Sequence, residues 1–231
     1  MKEEMFSGEQ VFMQIDQIVQ IDPANTKVEV NCRNVKAILL YFEDKYGREL
    51  LKRFIGDTRM SIEYLENVNN WISYEYWCAL LEGISRYARD DRAVIDAGTY
   101  TTKKECFGSL ERLFSRLGTV STAYRMIAQY TPRYAKHAQW VCEELASDRC
   151  VLILRFQPGF KENKYNCLFV QGVLASIPIV FHLPFATVKH NECAMLGHRE
   201  CKFEMTWQQK TSLNWFFVGV GIGTFSLIFL R

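Results

Sequence analysis

The run from His190 to Cys201 constrains this chain most. It holds two of the eight cysteines and two of the four histidines, set out as His190-x-x-Cys193 and His198-x-x-Cys201. Downstream, Cys201, Phe203, Met205 and Trp207 alternate with Lys202, Glu204 and Thr206. Side chains two apart share one face of a strand, so one face is apolar and the other wet. Upstream, Ala186, Val188 and His190 alternate with Thr187 and Lys189. Two such strands joined through a loop carrying Gly197 predict a β-hairpin. Its loop end brings Cys193 and Cys201 towards each other.

Thiolate and imidazole donors suit zinc, and a structural zinc takes four of them in a tetrahedron. His190, Cys193, His198 and Cys201 supply four from one hairpin, which is crowded. A ligand from another element is easier to build, and Cys167 is available. The plainer alternative is a set of buried free cysteines packing as small hydrophobes. A disulfide is disfavoured by compartment. Met1–Gln10 carries Lys2, Glu3, Glu4 and Glu9 and no apolar run, so no secretory signal is read. Thiols in the cytosol stay reduced.

The rest of the chain predicts helices first and strands later. Val35, Ile38, Leu39 and Phe42 recur with helical spacing, Gly47 interrupts, and Leu50, Leu51 and Phe54 resume. Ser73 is placed to cap a helix carrying Trp77, Leu80, Leu81 and Ile84. Phe107, Leu110, Phe114 and Leu117 mark another helix, ending at Gly118. A further one, capped by Ser121, carries Ala123, Met126, Ile127 and Tyr130. Val11–Val30 suggests a short strand pair ahead of them. Trp140–Leu145 and Cys150–Phe156 then read as strands, the second apolar on both faces and so central. Tyr165–Ile177 is helical, and its small residues Gly172 and Ala175 suit close packing on the sheet. The expectation is an α+β domain, a helical N-terminal half packed with an antiparallel sheet.

Catalytic patterns are absent. There is no glycine-rich phosphate loop, nucleophile elbow or HExxH helix. His137 and His182 stand alone and read as structural. A net charge of +2 gives no electrostatic footprint for nucleic acid. The chain reads as a binder rather than a catalyst. Thr211–Leu230 carries no charge, and about 20 apolar residues span a hydrocarbon core of roughly 30 Å. Trp215 sits where an interfacial aromatic belongs. The expectation is a C-terminal transmembrane helix over 211–231, with 1–210 cytosolic on the inner membrane. Gly219 and Gly223 offer that helix a dimer face.

The segment Cys167-Leu-Phe-Val-Gln-Gly172-Val-Leu-Ala-Ser-Ile-Pro178, with Leu183-Pro184, Ala186-Thr-Val188 and Cys193-x3-Gly197-x3-Cys201-x-Phe203-x3-Trp207, resembles the 4-vinyl-reductase-type domain. The resemblance implies a sensory or ligand-binding domain over 1–210, its metal part within 160–208. It implies a small apolar or aromatic ligand, and a structural zinc held by Cys167, His190, Cys193 and Cys201. His190 stands where related regulators carry a carboxylate, which leaves His198 as the alternative fourth ligand. The implied role is signal transduction by a membrane-attached sensor. The alternatives it brings are a tetrapyrrole-pathway enzyme or carrier and a scaffold like the TRAPP tethering subunits.

Overall fold

The structure is a computed structural model and describes residues 22–107 and 118–209. Strand β1 (Val30–Asn31) pairs antiparallel with β2 (Trp71–Ile72). Asn31 then caps α1 (Cys32–Tyr46), its side chain accepting from the Arg33 N–H at 3.0 Å. The periodic residues Val35, Ile38, Leu39 and Phe42 are all buried. Gly47 ends the helix at φ 85°, a left-handed conformation that costs a glycine little. Helix α2 (Arg48–Gly56) starts immediately after it, and α3 (Ile62–Glu66) follows. Ser73 caps α4 (Tyr74–Ala88) as expected, accepting from the Tyr76 N–H at 3.1 Å. Helix α5 (Arg92–Thr99), a 3-10 turn at Tyr100–Thr102 and the single turn α6 (Lys104–Phe107) complete this half. The helix expected over Phe107–Leu117 lies almost wholly outside the described residues.

Helix α7 (Val120–Tyr130) is capped slightly earlier than the sequence suggests. Thr119 Oγ1 accepts from the Thr122 N–H at 3.1 Å. Ser121 already lies inside the helix and donates its hydroxyl to Ala146 O at 2.7 Å. Both residues can cap, so the sequence alone does not separate them.

Strands β3 (Ala138–Leu145) and β4 (Arg149–Phe156) precede α8 (Lys164–Ser176), and β5 (Thr187–Glu192) and β6 (Cys201–Thr206) follow it. The sheet runs β3-β4-β6-β5, and every neighbouring pair is antiparallel. The central position expected for Cys150–Phe156 is what β4 occupies. Leu152 faces Phe203 and Leu154 faces Cys201 in register. Each edge pairing slips once, at Cys142/Glu144 in β3 and at Lys189/Glu192 in β5. The described chain is thus α+β, helices followed by an antiparallel sheet.

Helix α8 joins two apolar cores. Phe169 packs into the helical one with Trp77, Ile38 and Leu81. Cys167 and Leu174 pack into the sheet core with Leu152, Phe203 and Tyr124. Trp77 donates its indole N–H to Asn166 Oδ1 at 3.0 Å, so the buried polar groups at this junction satisfy each other. Gly172 does not serve the sheet, as its small size suggests in sequence. It faces α5. A Cβ placed there would lie 1.9 Å from Ile95 O, and one on Gly98 would lie 2.2 Å from Phe169 O. The two helices cross where neither has a side chain.

Among the described residues, one helical stretch, Lys164–Phe181, is apolar and long enough to cross a membrane. More than half of it is buried inside the protein, which makes it the core helix. The expected transmembrane segment 211–231 and most of the expected N-terminal strand pair lie outside the described residues.

Candidate functional site

Three elements bring four donors together. Cys167 projects from the start of α8, whose Asn163 cap fixes the helix start by accepting from the Tyr165 N–H at 2.8 Å. Cys201 opens β6. Cys193 follows β5 and precedes a 3-10 turn at Ala194–Leu196 closed by Gly197 at φ 89°. The hairpin therefore forms as expected, with its cysteines at the loop end. The sulfurs stand 3.5 Å (Cys167–Cys193), 4.0 Å (Cys167–Cys201) and 3.8 Å (Cys193–Cys201) apart. A ring nitrogen of His190 completes a set whose donor atoms all lie within 4.8 Å of one another. Four ligands about 2.3 Å from one ion in a tetrahedron stand roughly 3.8 Å apart, so the spacing suits a shared ion. His198 is exposed in the loop and outside the cluster. Its backbone N–H, not its ring, reaches Cys193 O, at 3.2 Å.

The electrostatics of the cluster are uneven. The Cys167 thiol donates to Cys201, and with burial this raises Cys167 far above the ordinary thiol range. The same bond, helped by the His190 imidazole and the Ala194 N–H at 3.3 Å, pulls Cys201 down to about 4. Burial also raises Cys193. Of the three thiols Cys201 is the one drawn towards the thiolate, the form that binds metal. The His190 ring stacks on Phe203 at 4.2 Å, and its Nε2 is buried with no hydrogen-bond partner. The imidazole thus reaches Cys201 and still keeps one buried ring nitrogen without a hydrogen-bond partner, which suits His190 to a ligand role.

Glu162 escaped the sequence reading. Its carboxyl lies 3.2 Å from Cys201 Sγ and also takes the Asn166 side-chain N–H at 3.1 Å. Desolvation first, and the Cys201 charge next, push it up to about 8. Its spacing from Cys167 matches no ligand motif, so no sequence signal marks it.

The two lone histidines are structural in position. His137 is buried and stacks on Tyr74 at 4.4 Å. His182 is exposed and left-handed, at φ 60°, after the 3-10 turn that extends α8.

A second feature lies across α8 from the cluster. The described residues enclose a cleft of about 470 Å³ between the start of α1, α7 and the C-terminal half of α8. Ala123, Met126, Ile127, Val173 and Ile177 form its apolar walls, Cys106 reaches it from α6, and Arg33 and Arg133 stand at its rim. The helical spacing of Met126, Ile127 and Tyr130 is legible in sequence, where it reads as ordinary core.

No family model matches the sequence, and no curated protein matches it. Solved structures do. An iron(II) unliganded H-NOX protein from K. algicida aligns over 80% of this chain and 100% of its own, at 14% identity and TM-score 0.57. An S. oneidensis H-NOX protein in the Fe(II)NO state aligns over 78% and 100%, at 9% identity and TM-score 0.58. The oxygen complex of an H-NOX domain related to soluble guanylate cyclases aligns over 76% and 93%, at 11% identity and TM-score 0.58. The fold is that of the H-NOX proteins.

This corrects the resemblance to the 4-vinyl-reductase-type domain. A cysteine pair on a hairpin beside a helical cysteine is a local arrangement, and the alignment of 76–80% of the chain to H-NOX structures outweighs it. Zinc as the cofactor is corrected with it. The matching structures are described by iron(II) states and, for another neighbour, by haem. Spacing finds donors but not the ion, because thiolates and imidazoles serve several first-row metals. The donor cluster itself stands.

Proposed function

We propose that this chain is a small-molecule-sensing module whose ligand sits in the cleft between α1, α7 and α8. The cleft carries the reading. Its volume lies in the range of small-ligand sites, and its walls are apolar with a few polar groups at the rim. Support comes from the neighbours that share the fold, two of which are described in complex with oxygen or nitric oxide.

Haem does not follow from that likeness. Haem iron is held axially by histidine, thiolate, methionine or tyrosinate. All four histidines of the chain are described, and none lines the cleft. The thiol at the cleft, Cys106, is buried and pushed up to about 11. The cleft does not fit a histidine-held haem, and the ligand proposed is one held by side chains. The test is a thermal-shift screen of small organic molecules, since a ligand that binds only the native state raises its stability. Stabilisation that disappears in Ala123→Trp, which fills the cleft, supports the reading. A strong Soret band in the purified protein defeats it.

Cys167, His190, Cys193 and Cys201 are proposed as a metal-ion site with a structural role. Four protein donors leave no open position for chemistry, and the ion would tie α8 to the hairpin. Metal analysis of protein purified without chelator should find a first-row ion near one per chain, reduced at least tenfold in Cys193→Ser. His190→Ala should weaken it and His198→Ala should not. The uncharged stretch Thr211–Leu230 supports attachment of a sensory domain, residues 1–210, to the inner membrane from the cytosolic side. Full-length protein that stays soluble without detergent after cell fractionation would exclude this.

A further inference from the structure

The described lining of the cleft carries charge of one sign. Arg33 comes from the first turn of α1, and its guanidinium lies 5.5 Å from the Tyr134 ring. Arg133 lies 4.8 Å from the Tyr130 ring. Each cation is thus steadied by an aromatic face rather than by a carboxylate. Among the described residues neither arginine makes an ion pair, whereas Arg48, Arg86, Arg149 and Arg155 each pair with a glutamate. Arg33 Nε is moreover buried with no hydrogen-bond partner. No acidic side chain lines the cleft among the described residues. Burial raises the Cys106 thiol; of the charges around it Lys36, Lys103 and Arg33 pull it towards ionisation and Glu105 opposes them. The described lining of the cleft therefore offers positive charge and no carboxylate, Glu105 acting only from beside Cys106.

We propose that the ligand of this cleft is a small organic carboxylate with an apolar body, its carboxylate on Arg33 and Arg133 and its body against Met126, Ile127, Val173 and Ile177. A guanidinium with an unpaired, desolvated N–H is a poor neighbour for a neutral apolar molecule and a good one for a carboxylate, whose two oxygens match the guanidinium fork. The apolar walls reward a hydrocarbon or aromatic body and exclude small hydrophilic anions. The proposal rests on the cleft being the sensing site and adds the chemical class of what enters it.

The experiment is isothermal titration calorimetry on the purified full chain. The probes are phenylacetate, 4-phenylbutyrate and octanoate, each against the alcohol of the same skeleton, with acetate alone as the bare anion. The expected result is that at least one carboxylate binds about tenfold or more tightly than its alcohol, and that acetate gives no measurable binding. Arg33→Gln should remove that preference and leave the alcohol's affinity unchanged. Arg133→Gln, at an exposed position where folding is not at stake, should reduce it by at least threefold. Equal binding of acid and alcohol overturns the carboxylate assignment and leaves the cleft as a site. Failure of every probe to bind overturns both the assignment and the cleft reading. A preference that survives in both arginine variants overturns the assignment to these residues.

Discussion

Replacing Gly172 with alanine tests the crossing of α5 and α8, the contact that sets the position of the site. The new Cβ would stand 1.9 Å from Ile95 O, against ordinary contact beginning at 3.4 Å. The obstacle is a backbone carbonyl inside a helix, which has no rotamer to change. The helices must part by about 1.5 Å, the difference between those two distances. A gap of even about 1 Å forfeits a quarter to a half of each dispersion contact across it. Overpacking of this kind destabilises by about 3 kcal/mol at the upper end of its usual range. Alanine returns about 1 kcal/mol of helix propensity, leaving a net loss of about 2 kcal/mol. Urea unfolding of the full chain, followed by far-ultraviolet circular dichroism, reads this as a lowered midpoint at unchanged slope. Gly56→Ala is the control, since nothing lies within 4 Å of its Cβ, and it should hold or raise the midpoint. Gly98→Ala should behave like Gly172→Ala. The double variant should lose less than the sum, because one clash already opens the gap for the other. A Gly172→Ala midpoint equal to or above the parent's would refute the close crossing.

Three further outcomes follow from buried polar groups and the cluster. Burial holds His137 down at about 4, so between that value and about 6.5 the unfolded chain binds the proton and the folded chain does not. Stability should therefore fall as pH drops through this window, by about 2 kcal/mol between pH 7 and 5. His137→Phe should flatten the dependence, and an unchanged pH profile in that variant would exclude His137 as its source. Asn166→Ala strands the buried Trp77 indole N–H and should lower stability by about 2 kcal/mol; a loss below about 0.5 kcal/mol would mean water replaces the bond. Loss of metal from Cys193→Ser should be accompanied by a lower melting temperature, because closed thiolate sites lend binding energy to folding; metal loss with no change in melting would deny the cluster a structural role.

Local periodicity made much of this architecture legible. The Ser73 cap, the break at Gly47, the central β4 and the Cys193–Cys201 hairpin all depend on short-range rules of spacing and backbone freedom, which a sequence displays directly. The donor set was legible for the same reason, since hairpin geometry alone brings Cys193 to Cys201. What sequence did not reveal depends on which elements meet. Gly172 looks equally suited to a sheet or a helix until α5 is seen against it. Thr119 and Ser121 are chemically equivalent caps until Ser121 is seen reaching Ala146. Glu162 and the Arg33 rim of the cleft acquire meaning only from neighbours distant in the chain. The resemblance to the 4-vinyl-reductase-type domain erred in the same way, because it weighed one local arrangement and could not weigh the fold around it.

The two slips in pairing, at Cys142/Glu144 and Lys189/Glu192, fall on the two outermost strands. An irregular outer strand is a poor template for a fifth one. β5 also presents Lys189, Asn191 and Glu192 to solvent, so a foreign strand laid along it would meet charge as well as broken spacing. The sheet is therefore finite by construction. Crowding at high expression should not extend this sheet strand by strand, and two copies meeting at its edges would find few backbone hydrogen bonds to share.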